Sequence, residues 1–149
     1  MLGTRKLIDG VVKTTVMVMI GFCTVGMGGV GEEKLKKIPE PDDNFSATVI
    51  DQRDVASPIT LFSLEGQTFL SGKRGGAMVS IPFENIKEIN FYARGKDIFA
   101  TVTMKKEAQV ELEMEKDRIF YGQLSYGLLS IKVEYVKKIA IHGLAEQEK

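Results

Sequence analysis

The sequence is short of the residues that much protein chemistry needs. It has no tryptophan, one cysteine and one histidine in 149 residues. A zinc cage, a Cys–His nucleophile pair and a disulfide framework each require more. No Gly-x-Ser-x-Gly elbow marks a hydrolase nucleophile. An excess of charge is missing too, because twenty basic residues face twenty acidic ones. The usual electrostatic case for a nucleic-acid partner is therefore absent. Neither a cofactor nor a metal is expected. What remains is ordinary globular material, 44% hydrophobic and 27% charged, enough for one domain or two very small ones.

The first thirty-one residues differ from the rest. Arg5, Lys6 and Lys13, offset only by Asp9, precede an uncharged run over residues 14–31 that contains Val16-Met17-Val18-Met19-Ile20-Gly21-Phe22. Basic, then apolar, then small is the order of a secretory signal, and the glycines around Gly26, Gly28 and Gly31 supply the small side chains of a cleavage point. Residues 1–31 are thus expected to be a signal peptide. The alternative is an uncleaved inner-membrane anchor over residues 14–31, which is at the lower limit for crossing ~30 Å of hydrocarbon. Both readings give an exported chain, periplasmic or extracellular, whose N-terminal segment contacts the membrane. Residues 32–45 read as a linker, because Pro39 and Pro41 in Ile38-Pro39-Glu40-Pro41 stop any continuing helix. Asn44-Phe45-Ser46 matches a glycosylation acceptor, a motif short enough to arise by chance.

The main signal lies beyond residue 45. Shifted by fifty positions, Ile81-Pro82-Phe83-Glu84-Asn85-Ile86-Lys87-Glu88-Ile89-Asn90-Phe91 falls without a gap on Ile131-Lys132-Val133-Glu134-Tyr135-Val136-Lys137-Lys138-Ile139-Ala140-Ile141. Upstream at the same shift, Phe62 meets Leu112, Leu70 meets Phe120 and Gly72 meets Gly122. Ala47-Thr48-Val49 matches Ala100-Thr101-Val102 at a shift of 53, which implies a three-residue length difference in the turn that follows. The pattern is that of a duplicated unit of about fifty residues, over residues 46–95 and 96–143, followed by a polar tail at 144–149.

Within each unit the apolar residues alternate with polar ones, as on a half-buried strand. Gln109-Val110-Glu111-Leu112-Glu113-Met114-Glu115 does so strictly. Five strands are expected per copy, near residues 46–51, 59–64, 68–72, 77–81 and 87–91, and again near 98–104, 109–115, 118–123, 126–131 and 137–141. Phe83 and Ile86 stand three apart after Pro82, the spacing of one 3₁₀ turn. The expected fold is all-β: two tandem five-stranded repeats of small-barrel type behind an N-terminal signal or anchor helix. Because a fifty-residue module is marginal alone, the copies are expected to share an apolar contact that uses part of Phe69, Phe91, Phe120 and Ile141.

Ile81-Pro82-Phe83-Glu84-Asn85-Ile86-Lys87-Glu88-Ile89 resembles the closing segment of a Src-homology-type small barrel. The resemblance covers about ten residues per copy and implies fold only. Proline-peptide binding is not carried over, since there is no tryptophan and Ala47-Thr48-Val49-Ile50-Asp51 lacks the tyrosines that line such a groove. The repeat pattern is also similar to that of uncharacterised exported bacterial β-repeat proteins, which implies a location and no activity.

No catalytic residue stands out. His142 has no marked partner, and Glu111, Glu113 and Glu115 sit ~6.6–6.8 Å apart along one strand face, too far for two to share a cation unaided. The most suggestive loop is Ser71-Gly72-Lys73-Arg74-Gly75-Gly76, where Lys73 and Arg74 stand among glycines and could meet an anion; a glycine turn with solvated charges explains it equally. Its counterpart carries Tyr121 and Tyr126, suited to stacking on a sugar or peptide, or simply to packing. These four are the candidate ligand-binding residues. The expectation is a non-enzymatic binding or assembly module of the cell envelope, with an envelope protein or polymer as partner and no nucleic acid. The alternatives are a small hydrolase with a carboxylate pair between the repeats, or a purely structural membrane-anchored domain.

Overall fold

The computed structural model describes residues 35–145. The expected signal or anchor over residues 1–31, the start of the expected linker and residues 146–149 lie outside the described residues. The described part is all-β. Its strands are β1 (Phe45–Asp51), β2 (Ala56–Leu64), β3 (Phe69–Arg74), β4 (Ala77–Pro82), β5 (Ile86–Arg94), β6 (Asp97–Met104), β7 (Gln109–Met114), β8 (Ile119–Leu124), β9 (Gly127–Lys132) and β10 (Val136–Leu144). Two 3₁₀ turns, Phe83–Asn85 and Val133–Tyr135, precede β5 and β10. From β3 to β5 every element recurs fifty residues later with the same length. No helix among the described residues is long and apolar enough to cross a membrane.

All ten strands join one antiparallel sheet in the order β4-β3-β7-β6-β5-β10-β1-β2-β8-β9. Exchanging each of β1–β5 with the strand five later in the chain turns this order into its own reverse. The centre lies between β5 and β10, where Ile89 faces Ile139, flanked by the pairs Lys138–Asn90 and Ala140–Glu88. Both isoleucines are fully buried.

Two barrels, each closed within its own fifty residues, are not what the strands make. β1 pairs with β10 rather than β5, and the β3–β4 hairpin lies against β7 while β8–β9 lies against β2. Each five-stranded half, β10-β1-β2-β8-β9 or β5-β6-β7-β3-β4, takes two strands from one sequence segment and three from the other. A short turn accounts for part of this. Arg94 pairs with Asp97 across Gly95 and Lys96, with Gly95 at φ +64°. Tight two-residue connections of this kind make hairpins, so β5 pairs with β6, a strand of the other sequence segment.

The three extra residues of the first segment are not in the turn. Asp51 N–H bonds to Val55 O, and Met104 N–H bonds to Ala108 O. Asp54 and Glu107 take the same left-handed conformation, φ +64° and +66°, so the two turns match. The excess sits inside β2, nine residues long against six in β7. There Leu61 has φ +49° and the register with β8 jumps between Thr60 and Ser63. Hence Ile59, not Phe62, is the counterpart of Leu112, since Ile59 pairs with Ala47 as Leu112 pairs with Ala100. Phe62 turns into the core without a counterpart. It stacks on Phe83 at 4.8 Å and on Phe120 at 5.5 Å, while Phe45 meets Phe83 and Phe91 meets Phe120 edge-on. Phe91, Phe120 and Ile141 are buried as expected, and Phe69 is half-buried.

Candidate functional site

The site begins with a missing side chain. β3 crosses β7 at Gly72, where a Cβ would stand 3.0 Å from Leu112 Cβ, Glu113 O and Met114 Sδ. Only Lys73 and Glu113 are in register between these strands. Beside this crossing lies a cleft of about 520 Å³, bounded by β3, by the β5–β6 turn and by the connection from β7 to β8. Ile98 and Met114 give it apolar walls, and Met78 on the edge strand β4 stands at it, 65% exposed. Lys73, Lys96 and Lys116 supply cations, and Asp97, Glu113, Glu115 and Asp117 supply carboxylates.

Arg118 fixes one wall. Its Nη1 donates to Ser71 O at 2.8 Å and to Ser71 Oγ at 2.7 Å, and its Nε lies 3.6 Å from Glu65 Oε1. The side chain is 17% exposed, so these charge-assisted bonds are shielded and tie the β7–β8 connection to β3. The lining contains no aromatic ring and no histidine. Apolar walls beneath charges of both signs suit a ligand with aliphatic and charged groups, which is the character of a peptide segment.

The other end of the sheet carries the same crossing in a filled form. Gly122 takes the place of Gly72, and a Cβ there would meet Ile59, 2.9 Å from its Cβ. Gly66 stands fifty residues before Lys116, and Pro39 packs on it: a Cβ on Gly66 would lie 2.9 Å from Pro39 Cβ. Asn44 Oδ1 accepts the Leu61 N–H at 2.7 Å, which gives this half-buried side chain a structural role within the glycosylation pattern. Ile38 and Pro41 are buried. Residues 38–44, expected as linker, thus form a strap laid against this end.

A second cluster lies on the outward face of β5, β6 and β7. Tyr92 stacks on Phe99 at 5.7 Å, and the Arg94 guanidinium lies 4.8 Å from the Phe99 centroid and 3.8 Å from Glu111. A hydrogen bond to Glu111 holds the Tyr92 hydroxyl above its ordinary pKa. Across the central strands, Lys138 bonds to Glu88 at 3.2 Å and holds that carboxyl below its ordinary value.

The expected ligand residues are dispersed. Lys73 lines the cleft, whereas Arg74 is exposed at the end of β3, beside the turn where Gly75 has φ +61°. Tyr121 is half-buried on β8, and Tyr126 stands 83% exposed in the β8–β9 turn. Of the four, only Lys73 lines the cleft; Arg74, Tyr121 and Tyr126 are not part of its lining. His142 is exposed, with Nε2 2.8 Å from Thr48 Oγ1. Among the described residues no group of His, Cys, Asp and Glu is arranged to hold a metal ion. Sequence reasoning missed Met78, Lys96, Ile98, Met114 and Arg118, which come from three separate stretches of chain. The usable signal was the pairing of Gly72 with Gly122, which marks a close crossing and hence an edge where strands part.

A family model described as "Uncharacterised protein" matches residues 41–143, and the chain belongs to that family. No curated protein and no solved structure matches it.

Proposed function

We propose that this family member is a non-enzymatic binding and assembly module of the cell envelope, and that the cleft beside Gly72 holds its partner. The observation that carries the reading is the cleft itself: apolar walls, charges of both signs at the rim, and a wall fixed by the shielded Arg118 bonds. Ligand sites of this kind combine apolar surface with a few placed polar groups. The location rests on the basic, apolar, small order of residues 5–31.

The same reading takes the fold as a duplication in which two five-stranded units of small-barrel type have exchanged strands. Support comes from the elements recurring at a spacing of fifty, from a strand order that reads the same backwards after the exchange, and from glycine at both crossings. Sharing strands gives two marginal modules one continuous core.

Photo-crosslinking in the native cell tests the binding reading. A photo-reactive residue in place of Met78 in the full chain should yield a discrete adduct with an envelope component. The same residue in place of Lys106, in the β6–β7 turn at the far end of those strands, should not. No adduct from Met78, or equal adducts from both positions, overturns it. For the location, mass spectrometry should find an N-terminus between Gly26 and Glu33, or an intact chain held in the inner membrane. An intact Met1 in the soluble fraction contradicts export.

A further inference from the structure

We infer that the occupant of the cleft is an extended peptide segment of another protein, laid across it as residues 38–44 are laid across the opposite end of the same sheet. This rests on the reading of the cleft as a binding site and names what it binds. The two ends are built alike. Each has a glycine at the crossing of an edge hairpin over its neighbour, Gly72 over β7 and Gly122 over β2. Each has a 3₁₀ turn following that hairpin, and each has a turn or loop entering the first strand of its half. At one end the gap toward Gly66 is crossed by the chain's own strap, with Pro39 on Gly66 and Asn44 holding Leu61. At the other end no described segment arrives in this way. The chain enters β6 directly from β5 through the two-residue turn at Gly95 and Lys96, so among the described residues no counterpart of the strap precedes β6 and the cleft remains.

The strap also shows which side chains such a seat takes. Ile38 and Pro41 are buried and the residues between them exposed, so the seat takes two apolar side chains three positions apart. An occupant of the cleft would direct an apolar residue, and another three positions on, toward Ile98 and Met114. The rim sets the remainder. Gly66-Gln67-Thr68 at the filled end is replaced by Lys116-Asp117-Arg118 at the open one. Among the described residues Lys73, Lys96 and Lys116 make no ion pair, nor do Asp97, Glu113, Glu115 and Asp117. The occupant therefore carries charges of both signs around its apolar residues. With no aromatic ring in the lining, aliphatic packing and charge pairing carry recognition.

The probe is a fluorescent peptide with the sequence of residues 35–44, Leu-Lys-Lys-Ile-Pro-Glu-Pro-Asp-Asp-Asn, titrated with the full chain and read by anisotropy. Saturable binding is expected. It should weaken about tenfold or more in M78E and in K96E, both at exposed positions, since one lost contact of ~1.4 kcal/mol is a factor of ten. It should be unchanged in K106E, and should be abolished when the peptide isoleucine is replaced by aspartate. No saturable binding overturns the inference, as does binding indifferent to both M78E and K96E, which would put the peptide on the strap's own seat. An adduct from position 78 in cells without peptide binding sinks this inference and leaves the binding-module reading standing. Peptide binding at the cleft without an adduct leaves the cleft a peptide seat and overturns the assignment of an envelope partner.

Discussion

The two crossings stand or fall on having no side chain, and Gly122→Ala tests this most sharply. The added Cβ would lie 2.4 Å from Ile59 Cδ1, 3.0 Å from its Cγ1 and 2.9 Å from its Cβ. Comfortable carbon contacts are about 3.5–4.0 Å. The Cδ1 methyl can swing away, but the Cβ belongs to β2 and moves only with its strand. Overpacking of this sort costs about 1–3 kcal/mol. Reduced freedom of the unfolded chain offsets about 0.4–1 kcal/mol, because Gly122 does not need a left-handed backbone. The net expectation is a loss of about 1–2 kcal/mol. Gly72→Ala meets three atoms at 3.0 Å, one of them the end of a methionine, and should lose less. Urea unfolding followed by far-UV circular dichroism reads the difference: with a slope of ~1–3 kcal/mol per molar, Gly122→Ala should lower the midpoint by about 0.3–2 M. Ile59→Val removes Cδ1, so the double variant should lose less than the two single losses added together. A Gly122→Ala protein as stable as the parent, or strict additivity with Ile59→Val, would refute the close crossing.

Two further outcomes follow from the core and the central strands. Phe62→Ala opens a void among three stacked rings and should cost about 3–5 kcal/mol in the same assay; a loss below ~1 kcal/mol would mean that Phe62 is not the core ring described. Glu88 is held below its ordinary pKa by Lys138. The pair's contribution is therefore fully present above the ordinary carboxylate range and is lost as pH falls through the lowered value. Both side chains are about a third exposed, so the contribution is at most ~1 kcal/mol. Glu88→Gln should lower the melting temperature slightly near neutrality and lose less on acidification than the parent; an unchanged acid limb would contradict the pairing.

Much of this fold is legible in the sequence because it is written locally. Alternation in Gln109-Val110-Glu111-Leu112-Glu113-Met114 needs only one wet and one dry face, and β7 follows. Pro82 with Phe83 and Ile86 three apart marks the 3₁₀ turn, and the structure has it at Phe83–Asn85. The choice of partner is different. Ile89 and Ile139 are equivalent apolar positions, so nothing in either strand says whether β1 should seek β5 or β10. The reach of the Gly95-Lys96 turn decides part of it, and that is a property of the connection. The bulge in β2 escaped for a related reason: a gapless shift of fifty lays Phe62 on Leu112 as readily as a shift of 53 lays Ile59 there, and only the pairing with Ala47 separates them. Of the residues that line the cleft, only Lys73 was a ligand-binding candidate in the sequence. Its apolar walls were hidden because Ile98 and Met114 read simply as inward strand positions, paired with each other, and the cleft appears only where β3 parts from β7, with Lys73 and Glu113 their one pair in register.

The exchange of strands between the two sequence segments can be tested in one experiment. In a Cys23→Ser background, cysteines in place of Thr48 and Ala140 face each other across β1 and β10. Cysteines in place of Thr48 and Asn90 would face each other only if β1 closed on β5. Mild oxidation should give an intramolecular disulfide, seen as a faster-migrating monomer on a non-reducing gel, in the first pair and none in the second. A crosslink in the second pair and none in the first would show two separate five-stranded units, and the shared sheet with its open cleft would not exist.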